Sequence, residues 1–285
     1  MRLVTYRSGG RDSVGIVSGG GVVDASAVLE GKYKDIKSIL GSETALRAIE
    51  SIGPDKAIPI DEIEFLPVIP NPDKIICVGL NYRSHVAETG RTETEKPGIF
   101  LRLPSTQVGH RAAMLRPVVS DQFDYEGELA VIIGKPGRHI PQRTAMEHVA
   151  GYSCYNDGSV RDWQRHTGQW TAGKNFRATG AFGPWLVTAD EIGDPSPLRL
   201  TTRLNGQTVQ DTTIDLMIFP IPEIISYVST WIDLVPGDVI VSGTPGGVGF
   251  KRNPPLLMKS GDTVEVEIEK IGVLQNSIAD EQTSK

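Results

Sequence analysis

Cysteine is nearly absent: Cys77 and Cys154 are the only two in 285 residues, and each stands in an apolar run (IICVGL and GYSCYN). A disulfide between them is the less favoured reading, and buried, reduced thiols in a cytoplasmic protein are expected. Positive charge is also short, with 29 Lys and Arg against 35 Asp and Glu and a formal net charge of −6. Nucleic acid and an anionic membrane surface are excluded as main partners, since each needs a basic face. No apolar run reaches the roughly 18–20 residues of a membrane span. The opening MRLVTYRSGGRD has no apolar h-region, so no secretory leader is expected. A nucleotide-binding signature is missing too. SGTPGGVG lacks the Lys and spacing of a P-loop and does not fit GxGxxG. It reads as a tight Gly/Pro turn that brings backbone N–H groups and Thr244 close to a ligand.

What the chain has is the composition of a globular protein, 39% hydrophobic and 22% charged, long enough for one large domain or two modest ones. Its 31 Gly and 19 Pro imply many turns, and the expected class is α+β, mostly β. RLVTY and SVGIVSGGGVVDAS alternate between Gly-rich turns and predict a small hairpin-type sheet. SETALRAIESI (42–52) has helical spacing with Ser42 as cap. PVIPNPDK (67–74) reads as a linker between a small N-terminal α+β domain (1–66) and a larger domain (75–285). Beyond it, IICVGL is a short apolar run, and NYRSHVAETGRTETEKPG is a loop or a marginal helix. ELAVIIG, PWLVT, LRLTTRLNG, DVIVSG and DTVEVEIEKIGVL predict strands. PIPEIISYVSTWI predicts a helix with apolar residues at 221, 224, 225, 228, 231 and 232. SIADEQTSK is a polar tail.

The chemistry concentrates in a few places. In DYEGELAVIIG, Glu126 and Glu128 project from one strand face, next to a wholly apolar run. Like charges entering a core need a cationic compensator; an all-carboxylate set suits Mg²⁺ or Mn²⁺ over Zn²⁺. The plain alternative is a solvent-facing polar stripe. Asp157, Arg161 and Gln164 in YNDGSVRDWQ share a face if a helical turn begins at Asp157. Arg suits bidentate capture of a carboxylate, whereas the same spacing also describes a surface cap with an Asp–Arg pair. Lys174, among glycines and aromatics in GQWTAGKNF, lies near a partly desolvated pocket or is one more solvated lysine. His85 and Glu88 are three apart, close enough to pair as a carboxylate-oriented general base or to belong to an exposed loop. His110, His139, His148 and His166 lack a comparable partner and read as structural.

NYRSHVAE, FDYEGELAVIIGK, GYSCYNDGSVRDWQ, GKNF, NGQTVQDTTIDLMIF, PGDVIVSGTPGGVG and SGDTVEVEIEKIGVLQN together resemble, in order and spacing over residues 70–276, the fumarylacetoacetate hydrolase family. The likeness is to its acylpyruvate or 2,4-diketo acid hydrolase-like branch. The resemblance implies a mixed β-roll behind a small N-terminal domain and a homodimer. By the same likeness Glu126, Glu128 and Asp157 match the metal carboxylates that hold Mg²⁺ or Mn²⁺. Arg161, Gln164, Lys174 and Thr244 match positions that contact a bound α-keto acid. His85 and Glu88 match a dyad on a lid segment that activates water in the hydrolases. Two departures stand out: Asn175, Phe176, Arg177, Ala178 and Thr179 replace the Ser-Phe-Asp-Thr-Phe frequent after the lysine, and Arg102 stands where Lys is frequent.

The implied reaction is metal-dependent cleavage of the C3–C4 bond of a 2,4-diketo acid, giving pyruvate and a carboxylic acid. Candidate substrates are small anionic keto acids: an acylpyruvate, a 2,4-diketo-3-deoxy sugar acid or fumarylpyruvate. His85 with Glu88 would deprotonate water, and Lys174 would steady the pyruvate enolate. The same residues, without water attack, fit an oxaloacetate-type decarboxylase or a hydroxymuconate-type isomerase. A non-catalytic binding protein on this fold predicts a missing or charge-reversed ligand, and none is missing.

Overall fold

The computed structural model describes residues 1–26, 28–29, 32–53 and 57–282. Of the expected polar tail, Ser277, Ile278, Ala279 and Asp280 instead complete strand Gly272–Asp280, because Ile278 is buried opposite Met114, and 283–285 lie outside the described residues. The alternating N-terminal segment forms strands Arg2–Ser8, Arg11–Ser18 and Gly21–Asp24, joined antiparallel. Helix Glu43–Glu50 follows, with the Ser42 hydroxyl accepting from the Ala45 N–H at 3.3 Å. NYRSHVAETG is a helix, Arg83–Thr89, stopped by Gly90 in the left-handed region at φ 69°. Helix Ile221–Ser229 buries Ile221, Ile224, Ile225 and Val228, whereas Trp231, counted in its apolar stripe by the spacing, is 45% exposed beyond the helix end. Among the described residues no helix is long and apolar enough to cross a membrane.

Two sheets carry the architecture, which is mostly strand, as the composition predicted. The larger runs, among the described residues, from Ile58–Pro59 through the N-terminal hairpins to Gly180–Thr188, Val149–Asp157, Gly127–Ile133, Val239–Val241, Ile75–Gly79 and Gly98–Arg102. The second contains Gln207–Thr213, Arg199–Leu204, Thr263–Ile268, Gly272–Asp280 and Met114–Arg116. The nine-residue strand Val149–Asp157 and the strand Gln207–Thr213 escape alternation rules. The first is buried over nearly its whole length and the second is largely polar, so neither shows a clean period of two.

Strand Gly127–Ile133 is buried at every position because both of its faces are covered. Leu129, Val131 and Ile133 join one core with Leu200, Val264 and Val266 of the second sheet. Ala130 and Ile132 join another with Leu3, Ile36 and Ile39 of the N-terminal segment. That N-terminal segment is fastened across the 67–74 passage in two ways. Strand Arg2–Ser8 pairs with Gly180–Thr188 (Arg2 opposite Val187, Leu3 opposite Leu186), and Val68 and Ile69 are fully buried in the shared core.

Candidate active site

Strand register assembles the carboxylates. Gly127 lies opposite Asn156, and the Asp157 N–H donates to the Glu126 carbonyl at 2.8 Å, so Glu126 and Asp157 are cross-strand neighbours. Glu128 follows two residues on, on the same face. One carboxylate oxygen from each of the three lies within 4.8 Å of the others, and all three residues are buried. The Glu126 N–H is held by Asn156 Oδ1 at 3.0 Å and the Gly127 N–H by Gln210 Oε1 at 2.9 Å, which fixes the stretch bearing both glutamates.

Cations reach this group from two sides. Lys174, on the short helix Thr171–Lys174, places Nζ 2.5 Å from both Glu126 Oε2 and Asp157 Oδ2, with the Phe100 ring centroid 5.0 Å away. Its approach depends on Gly173, where a Cβ would stand 2.3 Å from the Gln164 backbone nitrogen. Burial opposes the Lys174 charge, but Asp157 and Glu126 outweigh that and hold its ammonium above the ordinary lysine range. Arg161 approaches Glu126 Oε1 at 2.7 Å and donates from Nε to Asp124 Oδ2 at 2.9 Å. Burial likewise opposes the Glu126 charge, yet Arg161 and Lys174 hold its carboxyl below the usual range.

The helical turn expected from Asp157 through Gln164 is not there. Asp157 ends strand Val149–Asp157, and the helix begins only at Arg161. Pairing with Gly180 on one side keeps Asp157 extended. Arg161 therefore turns to Asp124, which the Phe123–Asp124 to Ser159–Val160 bridge sets beside it, while Gln164 Oε1 accepts from Arg161 Nη1 at 3.0 Å. Arg102 is the guanidinium that serves Asp157, at 2.5 Å from Oδ1.

Arg102, Asp124 and Gln210 are the residues that spacing missed. Arg102 also donates to the Gly158 carbonyl and Thr179 Oγ1, so both of its terminal nitrogens are engaged behind the site while the buried Nε has no hydrogen-bond partner. Asp124 further accepts the N–H groups of Gly249 and Phe250. Its neighbourhood with the Glu126–Glu128 motif was a signal; Gln210 lies in the quoted segment NGQTVQDTTIDLMIF, but no spacing tied it to the acids.

Four buried carboxylates thus meet three buried cations, and the shortfall falls on Glu128. Its one polar contact is the Gly243 N–H at 2.5 Å, and no cation pairs with it among the described residues. Burial and the Asp157 and Glu126 charges push its carboxyl well above the usual carboxylate range. A buried three-carboxylate set one positive charge short fits a divalent cation held by Glu126, Glu128 and Asp157.

Over this group lies helix Arg83–Thr89. His85 Nδ1 is 2.6 Å from Glu88 Oε1, leaving Nε2 as the ring nitrogen not committed to that carboxylate. Glu88 Oε2 accepts the Gly247 N–H at 2.8 Å and Ser84 Oγ accepts the Gly246 N–H at 3.0 Å, which latches the helix to the 243–247 turn. Thr244 in that turn donates to the Gly127 carbonyl at 3.0 Å and accepts from Gln210 Nε2 at 2.8 Å. Its hydroxyl proton is therefore engaged by the framework. A cavity of about 400 Å³ is lined by His85, Glu126, Glu128, Asp157, Arg161, Gln164, Lys174 and Thr244. Glu88 stands behind His85, off the cavity wall.

Comparison with known proteins gives the family. The sequence pattern of the Fumarylacetoacetate (FAA) hydrolase C-terminal family matches residues 74–279. Mitochondrial oxaloacetate tautomerases of Rattus norvegicus and Homo sapiens are 40% and 39% identical over 98% of this chain and 91% of their own. A fumarylacetoacetate hydrolase from psychrophilic Exiguobacterium antarcticum is 34% identical with a TM-score of 0.87, covering 99% of this chain and all of that one. A maleylpyruvate hydrolase from a Sphingobium species, solved with manganese(II) and pyruvate, is 28% identical with a TM-score of 0.83 over the same shares. The likeness runs nearly end to end and includes the strands that carry the carboxylates: this chain belongs to the fumarylacetoacetate hydrolase family, whose members are enzymes.

Proposed function

We propose that the protein catalyses metal-dependent keto–enol proton transfer on a 2-oxo acid of the oxaloacetate type. The observation that carries this is His85, on the wall of the same cavity as the three carboxylates, with its Nδ1 held 2.6 Å from Glu88 Oε1 behind it. Mg²⁺ or Mn²⁺ held by Glu126, Glu128 and Asp157 would supply a Lewis acid for the 2-oxo group and its enolate. Arg161, Gln164 and Lys174 bind and orient the adjoining carboxylate. His85, its Nδ1 fixed by Glu88, takes the proton from the enol oxygen, and C3 gains one; the isomerisation balances without a co-reactant. The oxaloacetate tautomerases that resemble the chain along its length support this direction. Oxaloacetate enters the sequence-based expectations only as a decarboxylation substrate, so tautomerisation is an addition to them.

A second reading keeps the expected hydrolysis of a 2,4-diketo acid. The likeness to maleylpyruvate hydrolase supports it, since the same His85–Glu88 pair suits removal of a proton from water. One experiment separates the two. Decay of the oxaloacetate enol and release of pyruvate from acetylpyruvate are followed side by side, with Mn²⁺ and with EDTA. Enol decay accelerated only with metal is the expected result. Pyruvate release without effect on enol decay transfers the assignment to the hydrolase, and inactivity in both overturns both. His85→Gln is expected to lower kcat by roughly 10²–10⁴ while leaving Mn²⁺ affinity intact.

A further inference from the structure

Three cations at the mouth of the cavity take no part in the acid site: Arg91, Arg165 and Lys251. All are exposed, and none forms an ion pair among the described residues. Each has only weak ties. Arg165 donates to Gln122 Oε1 at 2.9 Å, Lys251 approaches the Thr89 carbonyl at 3.4 Å, and Arg91 lies 5.4 Å from the Trp170 ring centroid.

They come from three separate elements. Arg91 follows the Gly90 stop of helix Arg83–Thr89, Arg165 caps helix Arg161–Gln164, and Lys251 ends the turn Gly249–Lys251. Phe250 spaces the positive charge: its ring centroid is 4.3 Å from the buried Arg161, 5.7 Å from Arg165 and 5.2 Å from Lys251. In a chain of net charge −6, three unpaired cations converging on one opening are a local reversal of sign. Like charges gathered without counter-charge repel one another, and an anionic ligand relieves that repulsion.

We propose that Arg91, Arg165 and Lys251 form a subsite for a second carboxylate of the substrate, so that the cavity selects 2-oxo dicarboxylates over 2-oxo monocarboxylates. The assignment rests on the function proposed above, in which the first carboxylate and the 2-oxo group lie at the acid site. Arg161 and Lys174 serve that inner end, and the mouth cations read the far end.

The test is calorimetric titration of the Mn²⁺-loaded protein with 2-oxoglutarate and with 2-oxopentanoate, which match in length and differ in the distal carboxylate. The expected preference for 2-oxoglutarate is roughly 10-fold, from three exposed charge contacts each worth a factor of about 2. The variant Arg91→Gln/Arg165→Gln/Lys251→Gln is expected to lose that preference with its 2-oxopentanoate affinity unchanged. A control, Arg47→Gln/Arg143→Gln/Lys259→Gln, alters net charge equally at exposed positions away from the mouth and should keep the preference. The proposal is overturned if the unsubstituted protein shows no preference or no binding of 2-oxoglutarate, if the mouth variant retains the preference, or if the control loses it as well. Turnover enters neither titration, so inactivity towards oxaloacetate and acetylpyruvate would sink the proposed reaction and leave the subsite standing.

Discussion

Glu128 shows how one side chain carries the case for a metal. Glu126 and Asp157 have Lys174, Arg161 and Arg102 as counter-charges; Glu128 has a backbone N–H only. Replacing a carboxyl whose ionisation burial and its acidic neighbours oppose should stabilise the metal-free protein, since the Gly243 N–H keeps an acceptor in the amide. Glu128→Gln is therefore expected to raise the Tm of the EDTA-treated protein by a few degrees, on the order of 1 kcal/mol. The same variant should erase the further rise that Mn²⁺ gives the unsubstituted protein. Differential scanning calorimetry with and without Mn²⁺ checks both, and a retained Mn²⁺ shift would remove Glu128 from the ligand set. A second titratable side chain, His110, acts on stability alone. Burial and the neighbouring Arg111 lower its pKa from 6.5 to about 4, and its Nδ1 accepts the Gln275 N–H at 3.0 Å, which requires the neutral ring. Because the folded value lies below the unfolded one, its contribution is complete above about pH 6.5 and is lost as pH falls towards about 4. His110→Gln should flatten that part of the Tm-against-pH curve by on the order of 2 kcal/mol; an unchanged slope would reject the assignment.

Paired strands and one turn place the machinery at the level of elements. Glu126 and Asp157 meet because Gly127–Ile133 and Val149–Asp157 are antiparallel in a fixed register; slipping that register by one would turn the acids to the other face. The 243–247 turn then ties three things together: Gly243 holds Glu128, Thr244 holds the Gly127 carbonyl, and Gly246 and Gly247 hold helix Arg83–Thr89. Gly243 adopts φ +106°, and a Cβ there would stand 2.6 Å from that of Asn81. Gly243→Ala is expected to cost roughly 2 kcal/mol of stability and to weaken Mn²⁺ binding without removing a ligand. Urea titration and Mn²⁺ calorimetry measure the two effects, and an unaltered Mn²⁺ affinity would show that the turn does not position Glu128. These contacts were illegible in the sequence because they join residues more than a hundred positions apart.

For the whole molecule, the decisive fact is that both faces of the central sheet are covered. The second sheet covers Leu129, Val131 and Ile133, and the N-terminal segment covers Ala130, Ile132, Phe182 and Leu186. Removal of residues 1–66 would expose the latter group and leave strand Gly180–Thr188 without the partner Arg2–Ser8. The 67–285 fragment is accordingly expected to be insoluble or to lack a cooperative unfolding transition. A soluble fragment that melts cooperatively and binds Mn²⁺ would show instead that the larger part folds alone. Charge is organised at the same scale: an acidic exterior surrounds a cavity whose mouth and floor carry cations.

By itself the sequence determined the class of the fold and the short strands, and it nominated the residues that the fold then gathers round one cavity, because these follow from local period, turn residues and motif order. Glu126 and Glu128 were paired by a two-residue spacing, and His85 with Glu88 by a helical one; both relations are local and survive any tertiary arrangement. Partnership across the chain was decided only by the fold. Spacing offered Asp157 to Arg161, while strand pairing gave Asp157 to Arg102 and Lys174, and Arg161 to Asp124 and Glu126. The physical reason is that hydrogen-bonded register, not distance along the chain, sets which charges become neighbours once they are buried.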